Sequence, residues 1–152
     1  MTDLVIKPGT RGCVVLSGTL LDPYTGLVIH FVRGPNSAAA QVDHVVSEAN
    51  SYQTGAQQLG ADQRQDFATD PLNLIVTDGP TNQSKGDSDA SEWLPVRHRC
   101  LYVARQIAVK AKWGLWVTSA EKAAMLSVLS DCPAQPLPTE ASADVVGPIP
   151  AE

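Results

Sequence analysis

Two short β-rich runs, residues 40–46 and 72–77, are separated by a long stretch, 47–71, with little strand character. That interruption constrains the fold more than any other feature of the chain. Glu48 to Leu59 is poor in β-branched residues and places Ala and Gln at helical spacing, with Gly55 able to interrupt or bend the helix. Ala61 to Ala68 reads as a second short helix. Asp70-Pro71 stops it, because the residue before a proline is pushed out of helical space. The expected fold class is α+β, with a helical segment inserted between two strands and further helices toward the C-terminus.

The flanking segments fit that plan. Asp22-Pro-Tyr-Thr-Gly26 is a turn signal and Leu27 to Arg33 a β-rich run, broken by Arg33-Gly-Pro-Asn-Ser37. Asp78-Gly-Pro80 is both a turn and a helix start, with Asp78 able to cap and Pro80 tolerated in a first turn; the short helix runs from about Thr81 into Ser84–Asp89. Val96 to Trp113 carries the longest helical signal, with an apolar stripe of Cys100, Val103, Ala104, Ile107, Ala108 and Ala111 and Gly114 suited to follow its end. Thr118-Ser-Ala-Glu121 is a capping box opening a last helix to about Ser130. The domain therefore spans residues 1–132. The tail, 133–152, is proline-rich and acidic and reads as disordered.

The chain has 152 residues, 43% hydrophobic and 18% charged, enough for one domain with a core. No apolar run approaches the roughly 20 residues that span a bilayer. The first residues have neither a basic nor a long apolar segment, so they do not read as a signal peptide, and a cytoplasmic location is expected. The net charge of −5 argues against a general polyanion binder. Glu140, Asp144 and Glu152 hold three of those charges in a tail without Lys or Arg, which leaves −2 on the body. From Arg97 to Lys112 there are five basic residues and no acid, enough for local phosphate contact. Of the three cysteines, Cys100 and Cys132 each fall near a helix end and could meet, whereas Cys13 has no obvious partner and none forms a C-x-x-C pair.

Chemistry concentrates in three pieces: Gln41-Val-Asp-His-Val-Val46, Asn73-Leu74, and Asn82 with Lys85 three residues on. In order, the chain reads Asp43-His44, then Asn73, then nine residues to Asn82, then Lys85. Around these lie Ser17-Gly-Thr-Leu, Asp22-Pro-Tyr-Thr-Gly26, Gly55-Ala-Gln-Gln-Leu59, Asp70-Pro-Leu-Asn-Leu74, Asp78-Gly-Pro-Thr-Asn82, Lys85-Gly-Asp87, Tyr102-Val-Ala-Arg-Gln106 and Gly114-Leu-Trp-Val-Thr118. Over about residues 11–133 this ordered set resembles the HNH (ββα-metal) endonucleases, and within them the small HNH proteins of actinobacteria and their phages.

The resemblance implies a ββα-metal core, an antiparallel hairpin with the helical segment inserted between its strands and the C-terminal helices packed around it, and a role for each position. Asp43 would be a metal ligand and His44 the general base. Asn73 would steady the loop and the ring of His44. Asn82, standing where the family often has a final His, would ligate through its amide oxygen, and Lys85 would touch phosphate. A metal on one side stabilises the leaving oxygen of a phosphodiester, while a neutral imidazole on the other takes a proton from water. One carboxylate and one amide oxygen suit Mg²⁺, with Mn²⁺ able to substitute. The expected partner is DNA, with no membrane contact. Arg97, Arg99 and Arg105 are candidate phosphate contacts, although a solvated helix face is the default for such clusters. His30 reads as a strand-face residue, His98 as surface, and the three tryptophans as packing residues. The alternative to an endonuclease is a binding module of the same fold that contacts DNA or a protein without cutting.

Overall fold

The structure, a computed structural model, describes residues 1–12 and 14–143; Cys13 and tail residues 144–152 lie outside the described residues. Among the described residues five strands form two antiparallel sheets. The first comprises β1 (Thr2–Ile6), β2 (Val15–Leu21) and β3 (Val28–Val32) in that order. The β3 run was legible in the sequence, but β1 and β2 were not. β2 is interrupted by Gly18, a residue that weakens strand patterns. A Cβ at Gly18 would stand 2.7 Å from Cδ2 of Leu4, so the gap in the pattern lets β1 lie close against it. Leu20 and Phe31 bury one face of this sheet.

The second sheet is the predicted pair: β4 (Ala40–His44) and β5 (Leu74–Asp78), running antiparallel from Ala40 opposite Asp78 to His44 opposite Leu74. The insertion between them is helical. It contains α1 (Glu48–Gln53), a 3₁₀ turn at Ala56–Gln58 and α2 (Ala61–Ala68). The Ser47 hydroxyl caps α1 by accepting from the Asn50 N–H at 3.0 Å. Gly55 breaks the helix with φ +134°, and its bare Cα leaves room for the Trp116 ring, which a Cβ would meet at 3.2 Å. After β5 the chain enters α3 (Gly79–Lys85) directly, then α4 (Arg99–Trp113), α5 (Ser119–Ser130) and the short α6 (Glu140–Ala143).

Two apolar clusters hold these layers together. One gathers Tyr24, Val45, Tyr102, Val103 and Met125; the other gathers Val46, Phe67, Leu72, Val109 and Leu115. α4 contributes to both, and so does the dipeptide Val45-Val46 immediately after His44. Burial of each such aliphatic side chain contributes about 1.5–3 kcal/mol, so the chain immediately after His44 is pinned by packing into both clusters.

α4 and α5 form an antiparallel pair. Gly114, at φ +65°, ends α4, and Thr118 caps α5 by accepting from the Glu121 N–H at 3.0 Å. The Glu121 side chain does not close the capping box. It is buried and pairs with Lys110 at 2.7 Å. Cys100 and Cys132, whose positions near helix ends allowed them to meet, are joined in a disulfide across the far end of the pair. Residues 133–143, expected to be disordered, include a turn and α6, whose Glu140 pairs with Lys112. Among the described residues no helix is long and apolar enough to cross a membrane.

Candidate active site

The site forms where α3 lies along β4. Asp78 starts the helix: its Oδ2 accepts from the Thr81 N–H at 2.9 Å and the Thr81 hydroxyl at 2.6 Å, with Pro80 in the first turn. Gly79 permits the close approach. A Cβ there would sit 1.9 Å from the carbonyl oxygen of Ala38, an impossible contact with backbone. Helical residues three apart share a face, and strand residues two apart share a face. Accordingly Asn82 meets Gln41, donating from Nδ2 to Oε1 at 3.1 Å, and Lys85 meets Asp43, donating from Nζ to Oδ1 at 2.9 Å. Lys85 also donates to the His44 carbonyl at 2.8 Å.

The second carboxylate oxygen of Asp43 accepts from the Tyr24 hydroxyl at 2.5 Å. Tyr24 is delivered by the Asp22–Gly26 turn, and that turn is tied to the far end of β5. Asp22 is fully buried; its Oδ1 accepts from the Thr77 hydroxyl at 2.5 Å and the Asp78 N–H at 3.0 Å, and its Oδ2 from Thr25. Burial raises the Tyr24 phenol well above its ordinary value, and the nearby negative charge of Asp43 adds to the effect. Tyr24 therefore stays protonated and acts as a donor. Its ring packs edge-to-face on Trp93 and Tyr102, with centroids 5.2 and 5.5 Å away.

His44 turns the other way. Its Nε2 lies 2.8 Å from the carbonyl oxygen of Ala68, at the end of α2, and 4.0 Å from Glu48 Oε1. A carbonyl oxygen can only accept, so Nε2 carries the hydrogen, and in the neutral ring Nδ1 is left with the lone pair. The side chain is 27% exposed, so the ring is not sealed in the core. Asn73 Oδ1 accepts from the Val46 N–H at 2.9 Å and its Nδ2 donates to the Val46 carbonyl at 3.1 Å, clamping the loop after His44. The ring itself is held by Ala68. Asn73 also sits in the turn before β5 rather than in the strand, which removes the oddity of an asparagine in a β run.

Two expectations for phosphate contact need correction. Arg105 is buried and its guanidinium donates to three carbonyls, Leu72 at 2.7 Å and Pro71 and Leu74 at 2.9 Å, so it ties down the turn carrying Asn73. Burial lowers its ionisation from the ordinary value, opposed by Tyr24 and Asp70. Lys85 has no exposed side-chain surface and is spent on Asp43. Arg97 and Arg99 are exposed, Arg99 donating from Nε to the Pro95 carbonyl at 2.9 Å. His30 is exposed on β3 and His98 is half-buried at the start of α4. Trp93 and Trp113 pack as expected, while Trp116 lies over Gly55 and is 46% exposed. Among the described residues no three His, Cys, Asp or Glu side chains converge to hold a metal.

Tyr24, Gln41, the Ala68 carbonyl and Gly79 did not emerge from the sequence as site components. Gln41 lay within the Gln41–Val46 piece, and Tyr24 and Gly79 within the Asp22–Gly26 and Asp78–Asn82 stretches that carry the resemblance, but none was given a site role there.

Comparison with known proteins supplies the family. Residues 1–128 match the family described as the C-terminal domain of GmrSD restriction endonucleases. The chain belongs to that family. This GmrSD C-terminal domain is nuclease-associated by its description. A relative in Arthroderma benhamiae, described as an uncharacterized secreted protein, is 37% identical over 125 residues, covering 79% of this chain. The chain spans 58% of that relative's length. No solved structure matches.

Proposed function

We propose that this GmrSD C-terminal domain is a metal-dependent endonuclease of the HNH (ββα-metal) type that hydrolyses DNA phosphodiester bonds, with His44 as general base. The observation that carries the proposal is the Nε2 hydrogen bond from His44 to Ala68, which leaves Nδ1 as the proton acceptor. Water would give one proton to Nδ1 and attack phosphorus as the bond to the 3′ oxygen breaks, and the departing 3′ oxygen would take a proton from solvent, leaving 5′-phosphate and 3′-hydroxyl ends. Family membership supports a nuclease, and the order β4, β5, α3 has the form of a ββα unit.

The donor set suits a hard cation. Asp43 offers a carboxylate, Gln41 and Asn82 offer amide oxygens along the same side of β4, and the position already accommodates a cationic group, the Lys85 ammonium. Asp43 and Asn82 would hold Mg²⁺ or Mn²⁺, whose chemistry is to stabilise negative charge on the leaving oxygen. Arg97 and Arg99 would contact the DNA backbone, a sequence-independent and salt-sensitive contribution.

A binding module without cleavage is favoured by one observation: both oxygens of Asp43 are engaged by the protein itself. Plasmid nicking with Mg²⁺, Mn²⁺ or EDTA separates the two readings. An endonuclease nicks with metal and not with EDTA, and His44→Ala lowers the rate by about 10²–10⁴-fold, the usual worth of a general base. Equal nicking by wild type and His44→Ala removes the enzyme reading.

The expected cytoplasmic location gives way to an oxidising compartment in this proposal. A Cys100–Cys132 disulfide is rare in a reducing cytosol, and the Arthroderma relative is described as secreted.

A further inference from the structure

The Lys85–Asp43 pair has a consequence that rests on the metal reading above. The Lys85 side chain has no exposed surface and Asp43 is 5% exposed. Charges so placed persist only because each compensates the other, since either alone in the interior is strongly disfavoured. The compensation is complete. The ammonium serves one carboxylate oxygen and the His44 carbonyl, and the neutral Tyr24 hydroxyl serves the other oxygen. Asp43, Lys85 and Tyr24 together carry no net charge. A divalent ion joining that cluster unchanged would add two uncompensated positive charges beside a buried ammonium.

We propose that Lys85 is a built-in counter-cation that competes with the divalent metal for Asp43, so that metal enters by displacing the ammonium. Lys85 is placed for this. It is the last residue of α3 and is followed by Gly86, at φ +55°, and by exposed Asp87. A flexible four-carbon stem at a helix exit can swing its ammonium to solvent while Asn82, one turn earlier, stays in register with Gln41. Lys85 thus keeps the metal-free site neutral and sets its metal affinity low.

The test is Mn²⁺ binding in the absence of DNA, followed by the electron paramagnetic resonance of free Mn²⁺ and by metal-dependent melting. The proteins are wild type, Lys85→Met, Asp43→Asn and the double variant D43N/K85M. Lys85→Met should bind Mn²⁺ about tenfold tighter or more, a difference of about 1.4 kcal/mol. It should melt lower than wild type in EDTA and recover on adding Mn²⁺. The double variant should melt near wild type in EDTA and lose the tight site. Lys85→Gln, neutral but still able to donate to the His44 carbonyl, carries the same comparison if Lys85→Met does not fold. Equal Mn²⁺ affinity in wild type and Lys85→Met, lost in both on Asp43→Asn, overturns the competition and leaves the metal reading standing. Absence of Mn²⁺ binding in wild type and Lys85→Met, or binding that survives Asp43→Asn, overturns the metal reading itself.

Discussion

At the scale of single residues, the candidate site depends on buried polar side chains whose partners are backbone atoms. Asn73 satisfies both the N–H and the carbonyl of Val46, and that residue is 2% exposed. Asn73→Ala leaves both groups unpaired in the interior, where each unsatisfied group costs about 1–3 kcal/mol. Urea denaturation should show a midpoint lowered accordingly, with nicking reduced because the loop after His44 is released. Gly79 is equally exacting for a different reason. Gly79→Ala drives a methyl into the Ala38 carbonyl, so α3 must shift; melting should report a loss of about 1–3 kcal/mol or more. Gly60→Ala, where a Cβ makes only ordinary contact, is the matched control and should stay within about 0.5 kcal/mol. Asp43, His44, Asn73 and Asn82 were legible as a set because their types and spacing carry the motif. Their partners were not, because a carbonyl such as that of Ala68 has no sequence signature and Tyr24 reaches Asp43 only through the fold.

At the scale of elements, α4 and α5 are braced at both ends, by the Lys110–Glu121 pair near the connection and by the Cys100–Cys132 disulfide at the opposite end. The disulfide closes a loop of sequence separation 32, and such a link contributes about 4 kcal/mol, mostly by restricting the unfolded chain in one model of the effect. Cys100→Ser/Cys132→Ser should lower the melting temperature by several degrees, as should reduction of the wild type. If dithiothreitol leaves the melting curve unchanged, the bond is not holding these helices. Element boundaries within the insertion were readable because helical composition and Gly55 are local signals. The three-stranded sheet was only partly readable. Gly18 in β2 and Asp3 of β1, at φ +51°, break the alternation on which strand recognition depends, and β1 is held by its register on β2 rather than by its own pattern.

At the scale of the whole molecule, the turn before β5 is joined to the end of α4 through Asp70, and this gives stability a pH dependence. Burial raises the Asp70 carboxyl, but hydrogen bonds from Lys112, the Trp113 indole and the Leu72 N–H, with the charge of Lys112, outweigh it and hold it below the ordinary carboxylate value. A depressed carboxyl contributes stability that is complete above its unfolded value and lost as pH falls through its lower folded value. Acid destabilisation through Asp70 should therefore begin near the ordinary carboxylate value and be complete only below the lowered folded value. Lys112→Ala should move its midpoint to higher pH, and an unmoved midpoint would show that Asp70 does not link these parts. Lys112 responds in the opposite sense. Burial lowers it, but Glu140 and Asp70 raise it above the ordinary lysine value, so its contribution is complete at lower pH and lost as pH rises through that raised value.

Family membership, the ββα order and the basic exposed start of α4 all bear on what the molecule does, but its proposed chemistry turns on the orientation of one ring. Long-range proton–nitrogen NMR of selectively labelled histidine, with His44 assigned by His44→Ala, reads that orientation directly. The account predicts a neutral His44 ring carrying its hydrogen on Nε2, with Nδ1 unprotonated and responsive to a phosphodiester analogue and Mg²⁺. A hydrogen found on Nδ1, with Nε2 bare against Ala68, would contradict it.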